Sequence, residues 1–309
     1  MPSVSIVLPT FNRVRFLAPT IESVMAQTHT DWELLIADDG SGEETRAYLR
    51  RISDPRVRIL WLTHCGNPAR VRNVAIEAAS GSHLAFLDSD DLWAPLKLER
   101  QLAALRARPE SRWSYCDCNR IDAEGRPLGD ELVRTRPPLD GWIFEPLLKL
   151  QTAVAMPTVL ADRELVRAIG GFDEQLRFGE FHDFCLRLAL RSEVVAVREP
   201  LCSIRAHDEH YSGDRIAALA SWMRLYEKTA KLTSSVTLQA HCARMRSETS
   251  LQLARLRGDQ EGYAAIWSTL RAAAVFSWRY PEWWLGALKR LLRPAVPAVL
   301  TSALLRRRG

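Results

Sequence analysis

At 309 residues the chain can bury a full core and build one large domain, or one domain with an appendage. Hydrophobic residues make up 47% and charged residues 26%, which excludes a disordered or membrane-spanning chain. The net charge of +5 resides at one end: Phe276 to Gly309 holds seven basic residues against Glu282, the preceding 275 residues sum to −1, and a near-neutral body excludes a groove tracking nucleic acid.

Short apolar runs at Val4–Leu8, Glu33–Ala37, Val57–Leu62, His83–Leu87 and Trp113–Cys118 predict strands. Between them Phe16–Gln27, Glu43–Arg51, Ala69–Ala79 and Lys97–Ala107 carry apolar residues at helical spacing. This alternation predicts an α/β fold with a mainly parallel sheet and helices on both faces. After Cys118 a turn-rich stretch follows, with Glu124-Gly125, Arg136-Pro137-Pro138 and Asp140-Gly141. Asp162 is placed to cap a short helix ending at Gly170-Gly171, and Phe181–Leu190 reads as another helix. Val194–Val197 and Leu201–Ile204 read as two strands. From Ile216 the pattern is helical, over Ile216–Leu232, Val236–Leu256 and Tyr263–Phe276. The expected domains are therefore residues 1–212, carrying the sheet, and 213–309, a helical region with a basic amphipathic tail.

Six cysteines form no CxxC pair, and Met1 runs almost directly into the first strand. No signal peptide is expected, and the thiols read as reduced in a cytoplasmic protein. Cys116 and Cys118, two apart in a strand, share one face and read as packing rather than metal ligands.

Two predicted strands end in acids: Leu34–Ala37 runs into Asp38-Asp39-Gly40, and Leu84–Leu87 into Asp88-Ser89-Asp90-Asp91. Parallel strands put both clusters on one sheet edge, outside the carboxyl ends where α/β sheets bind ligands. Grouped carboxylates repel one another and lose hydration unless a cation or donors compensate. Mg²⁺ or Mn²⁺, bound through one or two carboxylates with phosphate oxygens completing the shell, suits Asp88 and Asp90. Capping of the next helix is the alternative, and Asp91 is placed for it.

Several segments, in order, give a resemblance to a known family. They are Val7–Arg13, Ser23–Thr28, Ala37–Ser41, Gly66–Asn73, Phe86–Trp93 and Gly170–Glu174. Together they resemble the inverting family-2 glycosyltransferases, whose fold is the nucleotide-diphospho-sugar transferase (GT-A) fold, over roughly Val4–His207. The resemblance implies that Thr10, Asn12 and Asp39 hold the nucleoside, with Asp39 accepting a hydrogen bond from the base. It places Arg72 and Asn73 near base or diphosphate, Asp88 near the ribose and Asp90 on the metal. His207 falls where relatives place a histidine that completes the metal or diphosphate contacts. Trp93 reads as loop packing.

In that family an acidic pair opens the helix after Gly-Gly-Phe-Asp-Glu and supplies the catalytic base. The resemblance carries the base onto Asp183, with Glu180 as the alternative and His182 where a Glu is usual. One carboxylate would take the acceptor's proton, and the metal would offset charge on the departing diphosphate. The implied partners are a nucleotide-sugar donor, expected to be a UDP-sugar, and a saccharide or lipid-linked acceptor in cell-surface polysaccharide or glycolipid synthesis. Residues 276–309 hold Trp278, Trp283 and Trp284 beside Lys289, Arg290 and Arg293, too short an apolar run to cross a bilayer. Peripheral contact at the inner face of the cell membrane is expected; a helix docked on the protein's own core is the alternative. Rival functions are an inactive nucleotide-sugar-binding protein and a sugar nucleotidyltransferase, the latter opposed by a glycine-free Pro9–Arg13 loop.

Overall fold

A computed structural model describes residues 2–128, 138–207 and 214–292. The chain forms two compact units, Met1–His210 and Tyr211–Gly309.

In the first unit, β1 (Val4–Thr10), β2 (Trp32–Asp38), β3 (Val57–Trp61) and β4 (His83–Phe86) pair in parallel. Five more, β5 (Leu92–Trp93), β6 (Ser111–Ile121), β7 (Pro127–Leu128), β8 (Leu160–Asp162) and β9 (Glu193–Arg205), extend the sheet. Their order is β3-β2-β1-β4-β8-β6-β9-β5, with β7 paired to β6. Strand β8 runs antiparallel to both neighbours, so the sheet is mixed. At three residues β8 is too short for periodicity to reveal. The two strands expected at 194–204 are one continuous β9, whose register against β6 shifts at Pro200. Proline has no N–H for the ladder, so an irregularity there leaves both flanking halves paired.

Helices α1 (Val14–Met25), α2 (Glu43–Leu49), α3 (Pro68–Ala78) and α4 (Lys97–Ala107) connect the early strands, as their apolar spacing predicts. Strand β2 is buried along its whole length, the pattern of a strand covered on both faces. Fully buried Leu34 and Ile36 each contribute about 1.5–3 kcal/mol of apolar transfer. Helix α3 begins on Asn67, whose side chain accepts from the amides of Ala69 and Arg70, with Pro68 at the first helical position. Three shorter helices follow: α5 (Phe144–Leu148), α6 (Arg163–Ala168) and α7 (Glu180–Ala189). Asp162 caps α6 by accepting from the Leu165 amide at 2.8 Å. The turn-rich stretch after Cys118 falls partly at 129–137, outside the described residues.

The second unit contains α8 (Arg215–Leu232), α9 (Val236–Glu261), α10 (Tyr263–Ser277) and α11 (Pro281–Leu292). Ala254, Ile266, Leu270, Ala273, Trp283 and Ala287 form its core. The Trp283 indole N–H donates to Ser250 Oγ at 2.9 Å, so this part of the tail docks on its own unit. Trp284, Leu285 and Leu288 of the same helix are exposed, as are Tyr263, Trp267 and Val275 on α10. The apolar run 295–305 and the arginines at 306–308 lie outside the described residues. Among the described residues no helix is long and apolar enough to cross a membrane.

At the amino ends of the parallel strands, Glu33 Oε1 accepts from Ser5 Oγ at 2.6 Å and from the Ser80 amide and hydroxyl, both at 2.7 Å. Burial pushes this carboxyl up, but these bonds and Arg58 more than offset that and hold it below its usual range. A lowered folded-state value contributes stability above the unfolded-state value that is lost as pH falls through the folded one. Glu33→Gln should cost about 1–3 kcal/mol in urea unfolding at neutral pH. The gap from wild type should shrink below about pH 4.

Candidate active site

The two acidic clusters meet on one edge because β1 lies between β2 and β4 in parallel register. Thr10 pairs with Asp38 and Val7 with Phe86, so the chain leaves β1, β2 and β4 on the same side. The carboxyl ends of these strands, the head of α3 and the segment after β9 surround that edge.

The loops are tied to one another by short polar bonds. Asn12 has positive φ, 53°; its amide donates to Ser41 Oγ and its Oδ1 accepts from the Gly42 amide at 2.7 Å. The loop after β1 is thereby fixed to the loop after β2. Asp39 Oδ1 accepts from the Cys65 amide and Oδ2 from the Gly66 amide, each at 2.9 Å. His64 Nδ1 lies 2.9 Å from the Asp39 carbonyl, and its ring stacks on Phe11 at 4.2 Å. Asp39 therefore anchors the 64–66 loop; Oδ2 also lies 3.0 Å from His64 Nδ1, and Oδ1 keeps a lone pair for a ligand donor. A side chain at Gly40 would lie 2.7 Å from His64 N, and φ there is +76°, so the close approach needs glycine. Thr10 is buried, and among the described residues its Oγ1 has no hydrogen-bond partner.

Arg72 is the buried cation of the edge. Its Nη2 donates to Asp88 Oδ1 at 2.7 Å and its Nη1 to Glu180 Oε1 at 3.3 Å. Burial opposes the guanidinium charge, but the two carboxylates hold its pKa above the usual value. Asn73 points elsewhere: its Nδ2 donates to the Phe172 carbonyl and Glu174 Oε1, and its Oδ1 accepts from the Phe172 amide. With both amide hydrogens so used, it tethers α3 to residues 172–174. A Cβ at Gly171, where φ is +65°, would lie 2.6 Å from Asn73 Oδ1, so glycine permits the tether.

Asp90 Oδ2 and His207 Nε2 lie 2.9 Å apart, and the imidazole stacks on Phe16. Asp91 does not cap a helix; Leu96 occupies the cap of α4, and Asp91 Oδ1 accepts from the Arg205 amide. Burial, then the charges of Asp88 and Asp90, push the Asp91 carboxyl well above its ordinary value. Buried Arg205 donates to the carbonyls of Asp90, Asp122 and Ala123, fixing the acidic loop from behind. Nothing in the sequence singled out Arg205, because its partners are carbonyls from distant loops. Trp93 is buried with its N–H on the Pro157 carbonyl, which agrees with loop packing.

The donor set fits a divalent cation. A carboxylate oxygen of Asp90 and an imidazole nitrogen of His207 face each other, and Asp88, two residues away, is paired with Arg72. Two protein ligands leave most of an octahedral shell to a diphosphate and water. Among the described residues no group of three or more His, Cys, Asp or Glu could hold a metal alone. The six cysteines are unbridged; Cys116 and Cys202 are buried with sulfurs 3.5 Å apart.

The profile of glycosyl transferase family 2 matches residues 5–122, the segment that supplies every site residue up to Asp91. Residues 5–122 thus carry a family-2 glycosyltransferase segment. A β-1,3-glucosyltransferase of Escherichia coli, WfgD, which acts from UDP-Glc on α-D-GlcNAc-diphosphoundecaprenol, is 41% identical over 102 residues, 33% of this chain and 40% of that one. The chain spans 63%, 26% and 40% of the length of the first relatives it matches. In fold, residues 1–349 of S. aureus TarS in complex with UDP-GlcNAc give a TM-score of 0.67 at 16% identity, covering 88% of this chain and 81% of that. The mannosyltransferase PcManGT of Pyrobaculum calidifontis, with GDP-Man and Mn²⁺, gives 0.60 at 17% identity, covering 94% and 87%. The chain has the GT-A fold of these structures, and a helical carboxyl-terminal region.

Asp183, the expected base, lies in the first turn of α7. It is 1% exposed, and its Oδ2 accepts from Arg187 Nε at 2.7 Å, one turn along α7. Glu180 is the α7 carboxylate that touches the site, through Arg72.

Removing the Arg72 charge leaves Asp88 and Glu180 facing each other without compensation. Arg72→Ala should lower unfolding free energy by about 3 kcal/mol, measured by urea denaturation. Arg72→Lys should recover only part, since an ammonium cannot bridge both carboxylates in the guanidinium plane.

Proposed function

We propose that the first unit transfers a sugar from a nucleoside-diphosphate sugar, a UDP-sugar in our reading, to an acceptor hydroxyl with inversion at the anomeric carbon. The observation that carries this reading is the Asp90–His207 pair, 2.9 Å apart, on the same edge as Arg72, Asp88 and Asp39. In this reading the unpartnered Thr10 hydroxyl and Asp39 receive the nucleoside, and Asn12 fixes the loops that hold it. Asp88 faces the ribose while Arg72 sets its rotamer. Asp90 and His207 hold Mg²⁺ or Mn²⁺, which when bound offsets the charge that develops on the leaving diphosphate. A carboxylate at the head of α7 receives the acceptor's proton.

The acceptor in this reading is a saccharide, free or lipid-linked, in cell-surface polysaccharide or glycolipid synthesis. WfgD's named acceptor, a diphosphoundecaprenol-linked sugar, supports this. Work at the inner face of the cell membrane follows, with α10 and α11 as the contact. Exposed Trp267, Val275, Trp284, Leu285 and Leu288 supply apolar surface, and Arg271, Arg279 and Lys289 supply positive charge for anionic headgroups.

A thermal-shift series with UDP, UDP-GlcNAc, UDP-glucose and GDP-mannose, with and without Mn²⁺, tests the donor site. At a hundredfold excess over Kd, a bound nucleotide should raise Tm by about 5–10 °C, more with Mn²⁺. Asp90→Asn should abolish the Mn²⁺ increment and leave part of the nucleotide shift. No metal-dependent shift with any of them would sink the reading. For the membrane contact, the full chain should float with vesicles of phosphatidylglycerol and phosphatidylcholine at low salt. Flotation should fall with salt and with Trp284→Ser plus Leu288→Ser; recovery only at the bottom of the gradient at low salt would refute it.

A further inference from the structure

Helix α7 brings two carboxylates to the same end of the first unit, three positions apart, and sends them to different partners. Asp183 is sealed from solvent. Its Oδ2 accepts from Arg187 Nε at 2.7 Å and lies 2.7 Å from Arg187 Nη2, while Arg187 Nη1 donates to the Ile169 carbonyl at 2.6 Å. That chain ties α7 to the carboxyl end of α6. A carboxylate that accepts from a guanidinium and is closed to solvent is a poor proton acceptor for a hydroxyl arriving from outside.

Glu180 differs in each respect. It stands at the first position of α7, keeps part of its side chain exposed, and meets a single guanidinium nitrogen at a longer 3.3 Å. Arg72 joins it to Asp88, two residues from Asp90. Burial pushes the Glu180 carboxyl up, Arg72 from α3 opposes this, and Asp88 from the end of β4 adds to the rise. Such a carboxylate holds a proton more strongly than a free one, as a base working near neutral pH should.

We propose that Glu180 accepts the acceptor's proton and that Asp183 is a positioning residue, locked to Arg187, which sets the course of α7. This rests on the transferase reading above. In the step, the acceptor oxygen forms its bond to the anomeric carbon as the bond from that carbon to the diphosphate oxygen breaks. The bonding pair leaves on the diphosphate, and the hydroxyl proton passes to a Glu180 oxygen.

The test compares full-length wild type, Glu180→Gln, Glu180→Asp and Asp183→Asn. Release of nucleoside diphosphate from UDP-glucose, UDP-GlcNAc and GDP-mannose with Mn²⁺ is measured across pH, with water as the minimal acceptor. Glu180→Gln should lower kcat at least 100-fold with donor KM within about threefold, and should flatten the acidic limb of the pH–kcat curve. Glu180→Asp should restore a measurable part of the rate with that limb. Asp183→Asn should lower Tm and keep the limb; should it fail to fold, the two Glu180 variants decide alone. Glu180→Gln within fivefold of wild type, or a limb lost only in Asp183→Asn, overturns the proposal while transfer stands. Nucleotide binding without turnover by wild type overturns the transferase reading and this assignment together.

Discussion

A single guanidinium organises the acidic edge of this protein. Arg72 rises from α3 between Asp88, at the end of β4, and Glu180, at the head of α7. Three elements far apart in sequence thereby share one buried counter-charge. Without it, two partly buried carboxylates would repel across a region of low dielectric, and the ends of β4 and α7 could not approach as they do. The position of Arg72 depends in turn on how α3 begins. Asn67 caps that helix and also donates to the Glu174 carbonyl, and Asn73 binds Phe172 and Glu174. The head of α3 is thus fixed to the segment that leads into α7 before any ligand arrives.

The remaining carboxylates are held by backbone. Asp39 takes two amides of the 64–66 loop, and Asp91 takes the Arg205 amide. Arg205 closes the far side by donating to three carbonyls. Such bonds orient the acids without neutralising them; burial, and then the charges of Asp88 and Asp90, hold the Asp91 carboxyl high. A site of this kind is rigid and anionic, a form suited to a divalent cation carrying a diphosphate. The Asp90–His207 pair lies on this edge, and an imidazole beside the carboxylates adds no negative charge to it.

Much of the sheet was legible in the sequence. The strand starting at Val4 and the helix Lys97–Ala107 were located because long amphipathic or fully apolar runs carry strong periodicity. Strand β8 and the two-residue β5 escaped because they are too short for a period, and their pairing is set by neighbours distant in sequence. The division of Trp283 from Trp284 escaped for a related reason. Adjacent helical positions point 100° apart, so one ring enters the core of its unit and the next remains exposed, a choice made by the packing partner Ser250.

By itself, the sequence determined the α/β alternation, the carboxyl edge on which the acids gather, and the likeness to family-2 glycosyltransferases, because turn chemistry and hydrophobic period are local and ordered motifs are specific. Tertiary structure alone decided which partner holds each acid. Asp183 and Glu180 are one helical turn apart and similar in type. Only the placement of Arg187 on one side and Arg72 on the other separates a carboxylate locked inside the fold from one that faces the site. A charge acquires its role from what surrounds it in space, and that surrounding is built by segments a hundred residues away.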